Sequence, residues 1–447
     1  MTQEKALEFL KSGRNVFLTG SAGTGKTYVL NQFIQHLKDA KMEVAVTAST
    51  GIAATHLQGV TIHSWSGLGI KQKITERELG YLKKQKAVRD KFNKTKVLII
   101  DEISMLHKDQ LNAIHHVLSY CMDTNKAFGG MQLVLCGDFF QLPPIGEYGE
   151  RSRDKFAFMG EGWQIADFVI CYLTEQYRQS ANRLNTILEE IRSGVVSKDA
   201  IEDLRSASNT QFEAGIEPTK LYTHNRDVDF INNQHLADLP GKSRFFRAQT
   251  KGEKALTDIL KRSVLTQDDM AIRVGAKVMF VKNNPDKDFI NGTLGEVIDY
   301  TSLGFPLVKT LDGNKITATT EEWTITNENG QTLASYIQIP LRLAWAITVH
   351  KSQGMTLDAA ELDLSKTFER GQGYVALSRL RSLERLRLLG FNRTALEVDP
   401  LALKADKRFK ELSIVNDEKF SSEELREEAK AFIRKSGGRV LKKIEKN

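Results

Sequence analysis

An apolar run at 16–20 (VFLTG) breaks off into a glycine-rich turn. Residues 27–40 (TYVLNQFIQHLKDA) then place Leu30, Phe33, Ile34 and Leu37 at the i, i+3, i+4, i+7 spacing of an amphipathic helix. Three further short runs, VAVTAS (44–49), VLII (97–100) and LVLC (133–136), lie between polar segments. Runs that are apolar at successive positions suit strands buried on both faces, so the pattern predicts an α/β fold with a parallel sheet covered by helices. The polar, Lys-rich segment 71–96 interrupts this alternation and reads as a small helical insertion with a solvated face.

Helices and a strand return over 174–240, the start of a second α/β domain. From about 255 to 340 the character changes to β: AKVMFVKN, TLGEVIDYT, PLVKTL, KITATTEEW and ASYIQIPL are separated by NG, DG and NENG turns. This predicts a small antiparallel barrel inserted into the second domain. The α/β pattern resumes at LRLAWAITVHKSQG. Ser421 and Glu424 have capping-box spacing and open a helix to about Arg434; the basic stretch RKSGGRVLKKIEKN that follows is expected to be flexible and solvated. No internal repeat is evident.

Composition narrows the classes. The 447 residues suffice for about three domains, each with its own core. A net charge of +7 suits an anionic partner such as nucleic acid. The three cysteines, Cys121, Cys136 and Cys171, have no CxxC or Cys/His metal spacing and read as buried thiols in a reducing compartment. With a charged N-terminus and no run of 18 apolar residues, the sequence is expected to be intracellular, in cytoplasm or nucleoid if bacterial, with no membrane partner.

The chemistry begins at GSAGTGKT (20–27), between the first strand and the helix. Gly20, Ala22, Gly23, Thr24 and Gly25 form a loop whose backbone N–H groups converge on phosphate, Lys26 neutralises the β/γ oxygens, and Thr27 reaches Mg²⁺. The chain is therefore expected to bind a nucleoside triphosphate. The strand VLII ends in Asp101 and Glu102, placing Asp101 to hold the Mg²⁺ shell and Glu102 to polarise a water in line with the γ-phosphate. After the next strand comes CGDFFQLPP, in which Gln141 suits sensing of the γ-phosphate or the attacking water. Phe139 and Phe140 fit either core packing or base stacking, and Phe140 with Pro143 is a candidate nucleic-acid contact.

GSAGTGKT, VTASTGIAA (46–54), GVTIHSWSG (59–67), IIDEISML (99–106), FGGMQLVLCGDFFQLPP (128–144), LTEQYRQ (173–179), AITVHKSQGMTLD (346–358) and GQGYVALSRLRSLERL (371–386) occur in the order found in superfamily 1 helicases of type B. The chain most resembles the petite-integration-frequency (Pif) helicases, with the RecD-like and phage Dda helicases as cousins. The resemblance runs from about residue 3 to 390.

It implies two RecA-like domains with ATP between them: 1–172, carrying a helical or wedge insertion at about 66–96, and 173–254 with 341–400. Residues 255–340 would be an SH3-like barrel and 401–447 a helical, basic tail. Gln3 would read adenine. Arg178 and Arg379 would be supplied by the second domain, where a guanidinium can contribute roughly 10³–10⁵-fold in rate. Gln353 and Gly354 would lie toward the nucleotide. His350 and Lys351, with Thr50, Thr61 and His63, would touch the single-stranded DNA backbone, although the two threonine hydroxyls equally suit helix caps.

The implied function is an ATP-dependent DNA helicase that moves 5′→3′ on single-stranded DNA and splits duplex at ss/ds junctions. It would act as a monomer, with single-strand-binding or replication and recombination proteins as partners. Two other readings are an ATP-switched single-strand binding or remodelling module and a translocase subunit of a recombination complex.

Overall fold

The computed structural model describes all residues except 58, 70, 147–148, 176–181, 213–217, 265, 283, 285–288, 290–292, 311–312, 327–331, 356, 358 and 441–447. The chain divides into two compact units: Met1–Phe212, Gln353–Asp358 and Leu364–Asn447 in one, Glu213–Ser352 and Ala359–Asp363 in the other.

In the first unit β1 (Val16–Gly20), β2 (Val44–Ala48), β3 (Val60–Thr61), β4 (Val97–Asp101), β5 (Gln132–Cys136) and β6 (Val169–Leu173) form a parallel sheet of order 3-2-4-5-1-6. Every residue of β1, β4 and β5 is buried, which explains why their sequences do not alternate. The helix Lys26–Asp39 buries Val29 and the four residues that its periodicity singled out. Because β1 lies between β5 and β6 and runs into this helix, its C-terminal end opens on the crest of the sheet, where α/β folds bind ligands. The polar insertion is a pair of helices, Glu76–Lys84 and Lys86–Lys94. The first is opened by a Thr75/Glu78 capping box, and the pair buries only Leu79, Leu82 and Phe92.

One feature of this unit departs from the sequence reading. The C-terminal helices Pro400–Lys419 and Ser422–Lys435 are part of its core. Leu425 and Ile433 are buried in the cluster that contains Val16 and Leu18, and Phe420 meets Phe9 edge-on at 5.7 Å. The Arg14 guanidinium lies 4.2 Å from the Phe420 ring and pairs with Glu428. Residues 441–447, the end of the expected flexible stretch, lie outside the described residues. Leu425→Ala is accordingly expected to lower unfolding free energy in urea by about 2–5 kcal/mol through the cavity it leaves; a loss below about 1 kcal/mol would mean that the helix docks only superficially.

Residues 183–212 and 364–400 also fall within this unit. Arg192, on the helix Arg183–Ser193, is buried against Asp138 and Asp406, and Tyr374 on the helix Gln372–Leu377 shares the same Asp138 oxygen.

In the second unit β7 (Thr219–Tyr222) precedes a β-rich stretch: β8 (Arg244–Arg247), β9 (Gln249–Gly252), β10 (Asp269–Ile272), β11 (Lys277–Phe280), β12 (Leu294–Tyr300), β13 (Pro306–Thr310), β14 (Lys315–Thr317), β15 (Glu321–Thr326), β16 (Thr332–Gln338) and β17 (Leu341–Leu343). Among the described residues all its pairings are antiparallel: a five-stranded sheet β14-β13-β12-β11-β17, a three-stranded sheet β15-β16-β9, and the pair β10-β8. The stretch thus extends from Arg244 to Leu343, wider than 255–340, because β8, β9 and β17 pair into it. The NG and NENG turns lie outside the described residues. β18 (Ala346–Thr348) and β19 (Ala360–Leu364) then flank β7 in parallel, restoring the α/β pattern.

The three cysteine thiols are free and buried. Among the described residues no helix is long and apolar enough to cross a membrane, and no group of three or more His, Cys, Asp or Glu side chains is placed to hold a metal ion by itself.

Candidate nucleotide and nucleic-acid site

The phosphate loop leaves β1 at Gly20 and enters its helix at Lys26. Gly25, the N-cap, has φ +83°, which favours glycine, and a Cβ there would displace the Gln3 amide that lies 2.1 Å from its position. No side chain caps this helix, which leaves its first N–H groups to an anion. Gln3 Nε2 donates to Thr24 O at 2.9 Å, and Lys26 Nζ donates to Gly20 O and Ser21 O at 2.9 and 3.1 Å. The ammonium group thus sits in the mouth of the loop, where a phosphate oxygen could replace the carbonyls. Gln3, which precedes β1 in sequence, is brought onto the loop.

Asp101 ends β4 and is 9% exposed; its Oδ1 accepts from Glu102 N at 2.8 Å. Burial, with the charge of Glu102 beside it, pushes its carboxyl up to about 7, against the pull of Lys26. A divalent cation held by Thr27 and Asp101 would relieve that repulsion, so the donor set fits Mg²⁺. Glu102 has φ 52° and ψ 47°, an uncommon conformation for a carboxylate residue. Ser49 Oγ donates to its carbonyl at 2.6 Å, and Gln353 Nε2 donates to its Oε2 at 3.0 Å. The Oε1 atoms of Gln353 and Gln141 are buried and accept no hydrogen bond within the described structure. Acceptors left in this way cost about 1–3 kcal/mol each, and a water poised to attack phosphate carries the donors they lack. Arg379, 5% exposed, donates to Val375 O (2.9 Å), Met355 O (3.2 Å) and Ser378 Oγ (2.8 Å), while Gly354 is exposed. Arg178 lies outside the described residues.

A family model for PIF1-like helicases matches residues 3–201. The ATP-dependent DNA helicase Pif1 of Psychrobacter sp. (strain PRwf-1) is 47% identical over 504 aligned residues, which cover 99% of this chain and 76% of the relative. The chain belongs to the PIF1-like helicase family. Among solved structures, Pif1 helicase from Candida albicans matches with a TM-score of 0.84 at 36% identity, over 91% of this chain and 98% of that one. Pif1 helicase from Bacteroides, solved in complex with ADP-AlF3 and ssDNA, matches at 0.73 with 30% identity, over 90% and 94%.

For a PIF1-like helicase the remaining candidates are the DNA-facing ones, and the structure treats them unequally. The hydroxyl of Thr50 accepts from Ala53 N and that of Thr61 from Ser64 N, so both cap short helices; each can still donate its proton to a phosphate. His63 is half-buried, and desolvation holds its pKa below the usual histidine range despite a bond to Gln110. Pro143 is half-buried. Phe140 is a correction: its ring is 2% exposed and covered by the Arg192 guanidinium at 4.3 Å, so no face is open for stacking on a base. Phe139 packs among Phe17, Phe158 and Trp163.

In the second unit His350 and Lys351 lie in the single turn Val349–Ser352 that follows β18. Burial lowers the His350 pKa, leaving it neutral at pH 7. Burial, with Arg342 nearby, brings Lys351 down to about 8, against the pull of Asp229. The sequence reading missed Arg192, although a signal existed. With Leu184, Ile187, Leu188 and Ile191 on the apolar stripe, position 192 continues that stripe at i+8, so its cation had to be buried and paired.

Proposed function

We propose that this chain is an ATP-dependent DNA helicase that moves 5′→3′ along single-stranded DNA and opens duplex at ss/ds junctions, acting as a monomer with ATP and Mg²⁺. The observation that carries the proposal is the 3.0 Å bond from Gln353 Nε2 to Glu102 Oε2. Gln353 shares the segment Thr348–Gly354 with His350 and Lys351, so the part of the chain proposed to touch DNA also holds the carboxylate proposed to orient water. Strand occupancy then has a direct route to ATP turnover.

Lys26 and the N–H groups at the head of its helix bind the phosphates, and Gln3 reads the adenine edge. Thr27 and Asp101 hold Mg²⁺, which when bound screens phosphate charge. Glu102 orients the attacking water and accepts its proton, while Gln141 and Gln353 offer acceptor oxygens. Arg379, joined by Arg178, stabilises the charge that develops on the transferred phosphoryl group, for which Arg379 has to exchange its backbone partners for phosphate oxygens. Strand displacement by the purified chain, with DNA-stimulated ATP hydrolysis, tests the proposal. Stimulated hydrolysis without displacement would reduce it to a DNA-dependent ATPase.

The DNA arm carries its own prediction. His350→Ala with Lys351→Ala removes one cationic phosphate contact, since the histidine is neutral, and the slope of log affinity against log salt for an oligonucleotide should fall by roughly 0.7. With Lys351 near 8, wild-type affinity should also fall between pH 7 and 9 as the ammonium loses its proton, and Lys351→Arg should flatten that profile. Stability moves the opposite way. The folded value lies below the unfolded one, so the unfolded chain binds more protons between about 8 and 10 and stability from this group rises with pH. Fluorescence anisotropy at several pH values and salt concentrations reads the salt slope and the pH profile of binding, and urea unfolding reads the stability; an unchanged salt slope would remove Lys351 from the DNA path.

A further inference from the structure

The phosphate loop is held from outside its own strand and helix by Tyr374. Ala22 N donates to the Tyr374 hydroxyl at 3.3 Å. That hydroxyl donates to Asp138 Oδ2 at 3.2 Å and accepts from Arg192 Nη1 at 3.0 Å, so its one proton and both lone pairs are in use. Arg192 Nη1 also donates to Asp138 Oδ2 at 2.6 Å, while Nη2 donates to the Tyr172 hydroxyl at 2.8 Å and to Asp406 Oδ1 at 3.3 Å. Asp138 Oδ1 accepts from Phe140 N at 3.2 Å, and the guanidinium covers the Phe140 ring. One buried cation therefore grips both the carboxylate and the ring that flank the start of the Gln141 loop.

The helix Gln372–Leu377 makes the second connection. Gly371, its N-cap at φ +83°, lies so close to the Gln141 loop that a Cβ would come within 2.6 Å of Phe140 O and 2.9 Å of Gln141 O. Two residues beyond its other end is Arg379. This single short helix thus carries the hydroxyl that holds the phosphate loop, the glycine that abuts the Gln141 loop and the route to the candidate arginine.

Stability alone is a weak reason for such an arrangement. Apolar residues of similar volume commonly match or exceed a buried ion pair in stability, whereas removing one partner from the pair is strongly destabilising. What the polar network supplies is a fixed relation among directional donors and acceptors.

We infer that Tyr374 and Arg192 are positioning residues of the ATPase site, which lock the phosphate loop at Ala22 and the Gln141 loop at Asp138 into one register. The inference rests on the ATPase reading above, but its first readout is nucleotide binding and needs no helicase activity. Tyr374→Phe keeps the ring and removes only the hydroxyl, leaving Ala22 N–H without this acceptor. The expected result is ADP affinity, measured with a fluorescent ADP analogue, weaker by about three- to tenfold, the size of one lost hydrogen bond. KM for ATP should rise in parallel, affinity for single-stranded DNA without nucleotide should stay within about twofold, and the melting temperature should fall by no more than about 4 °C.

Leu425→Ala, which loosens the same unit without touching the network, is the control and should leave ADP affinity unchanged. Arg192→Lys keeps the charge but cannot reach Asp138, Tyr172 and Tyr374 together, and should lower kcat as well as nucleotide affinity. If Arg192→Lys does not fold, Tyr374→Phe decides alone. ADP affinity within twofold of wild type in Tyr374→Phe, or an equal loss in Leu425→Ala, would overturn the inference. A wild-type chain that binds ADP but hydrolyses no ATP would instead overturn the proposed function.

Discussion

Glu102→Gln should lower single-stranded-DNA-stimulated ATP turnover by about 10²–10⁴-fold, the range of a lost general base, while leaving ADP affinity within about twofold. The substitution removes the charge that orients water and accepts its proton. It leaves the phosphate cradle intact, because the loop is shaped by Gly25, by Lys26 on the Gly20 and Ser21 carbonyls, and by Gln3 on Thr24. The left-handed backbone at position 102 is also retained, since Ser49 bonds the Glu102 carbonyl and not its carboxylate. Lys26→Ala acts on the other side of the cycle and should weaken nucleotide binding together with turnover. Steady-state hydrolysis beside nucleotide titration separates the two. Equal loss of affinity in both variants would assign Glu102 a structural role and leave the site without its base.

The same residues show what can be read from local pattern. The strand–loop–helix around Lys26 was legible because each part has a short-range cause: an apolar run, glycines where the backbone turns, and a 3.6-residue stripe. Asp101 and Glu102 were legible because a buried strand that ends in two carboxylates places them at the open edge of the sheet. Phe140 was not legible, since a phenylalanine beside a loop looks the same whether its ring faces solvent or lies under a guanidinium 52 positions further along the chain. The docking of the C-terminal helices was hidden for a similar reason. The Ser421/Glu424 capping box predicted the second of them, but the partners of Leu425 and Ile433 are set by contacts with the beginning of the chain. Arg192 could have been found, because a cation on an apolar stripe needs a buried anion; which anion it meets is a tertiary fact.

Polarity is the prediction with the largest contrast. Two grips on a strand that alternate under ATP can move it either way, because direction depends on which grip is tighter in each nucleotide state, and a ligand biases two states only by its differential affinity for them. The phosphate loop cannot make that choice, and neither can Glu102. The grounds for 5′→3′ movement are the resemblance to type B helicases of FGGMQLVLCGDFFQLPP, LTEQYRQ and ITVHKSQG, together with the antiparallel β-rich stretch that ends at Leu343, just before the last of these. A duplex with a 5′ single-stranded tail should therefore be unwound in an ATP-dependent manner, and a 3′-tailed or blunt duplex hardly at all, when equal concentrations are compared by strand displacement on native gels. The Lys26→Ala variant should lose activity on the 5′-tailed substrate, which ties displacement to this nucleotide site and not to a contaminant. Efficient unwinding from the 3′ tail alone would reverse the assignment even if hydrolysis, DNA stimulation and the effect of Glu102→Gln all came out as expected, because those depend on the site while polarity depends on the order in which the strand is gripped and released.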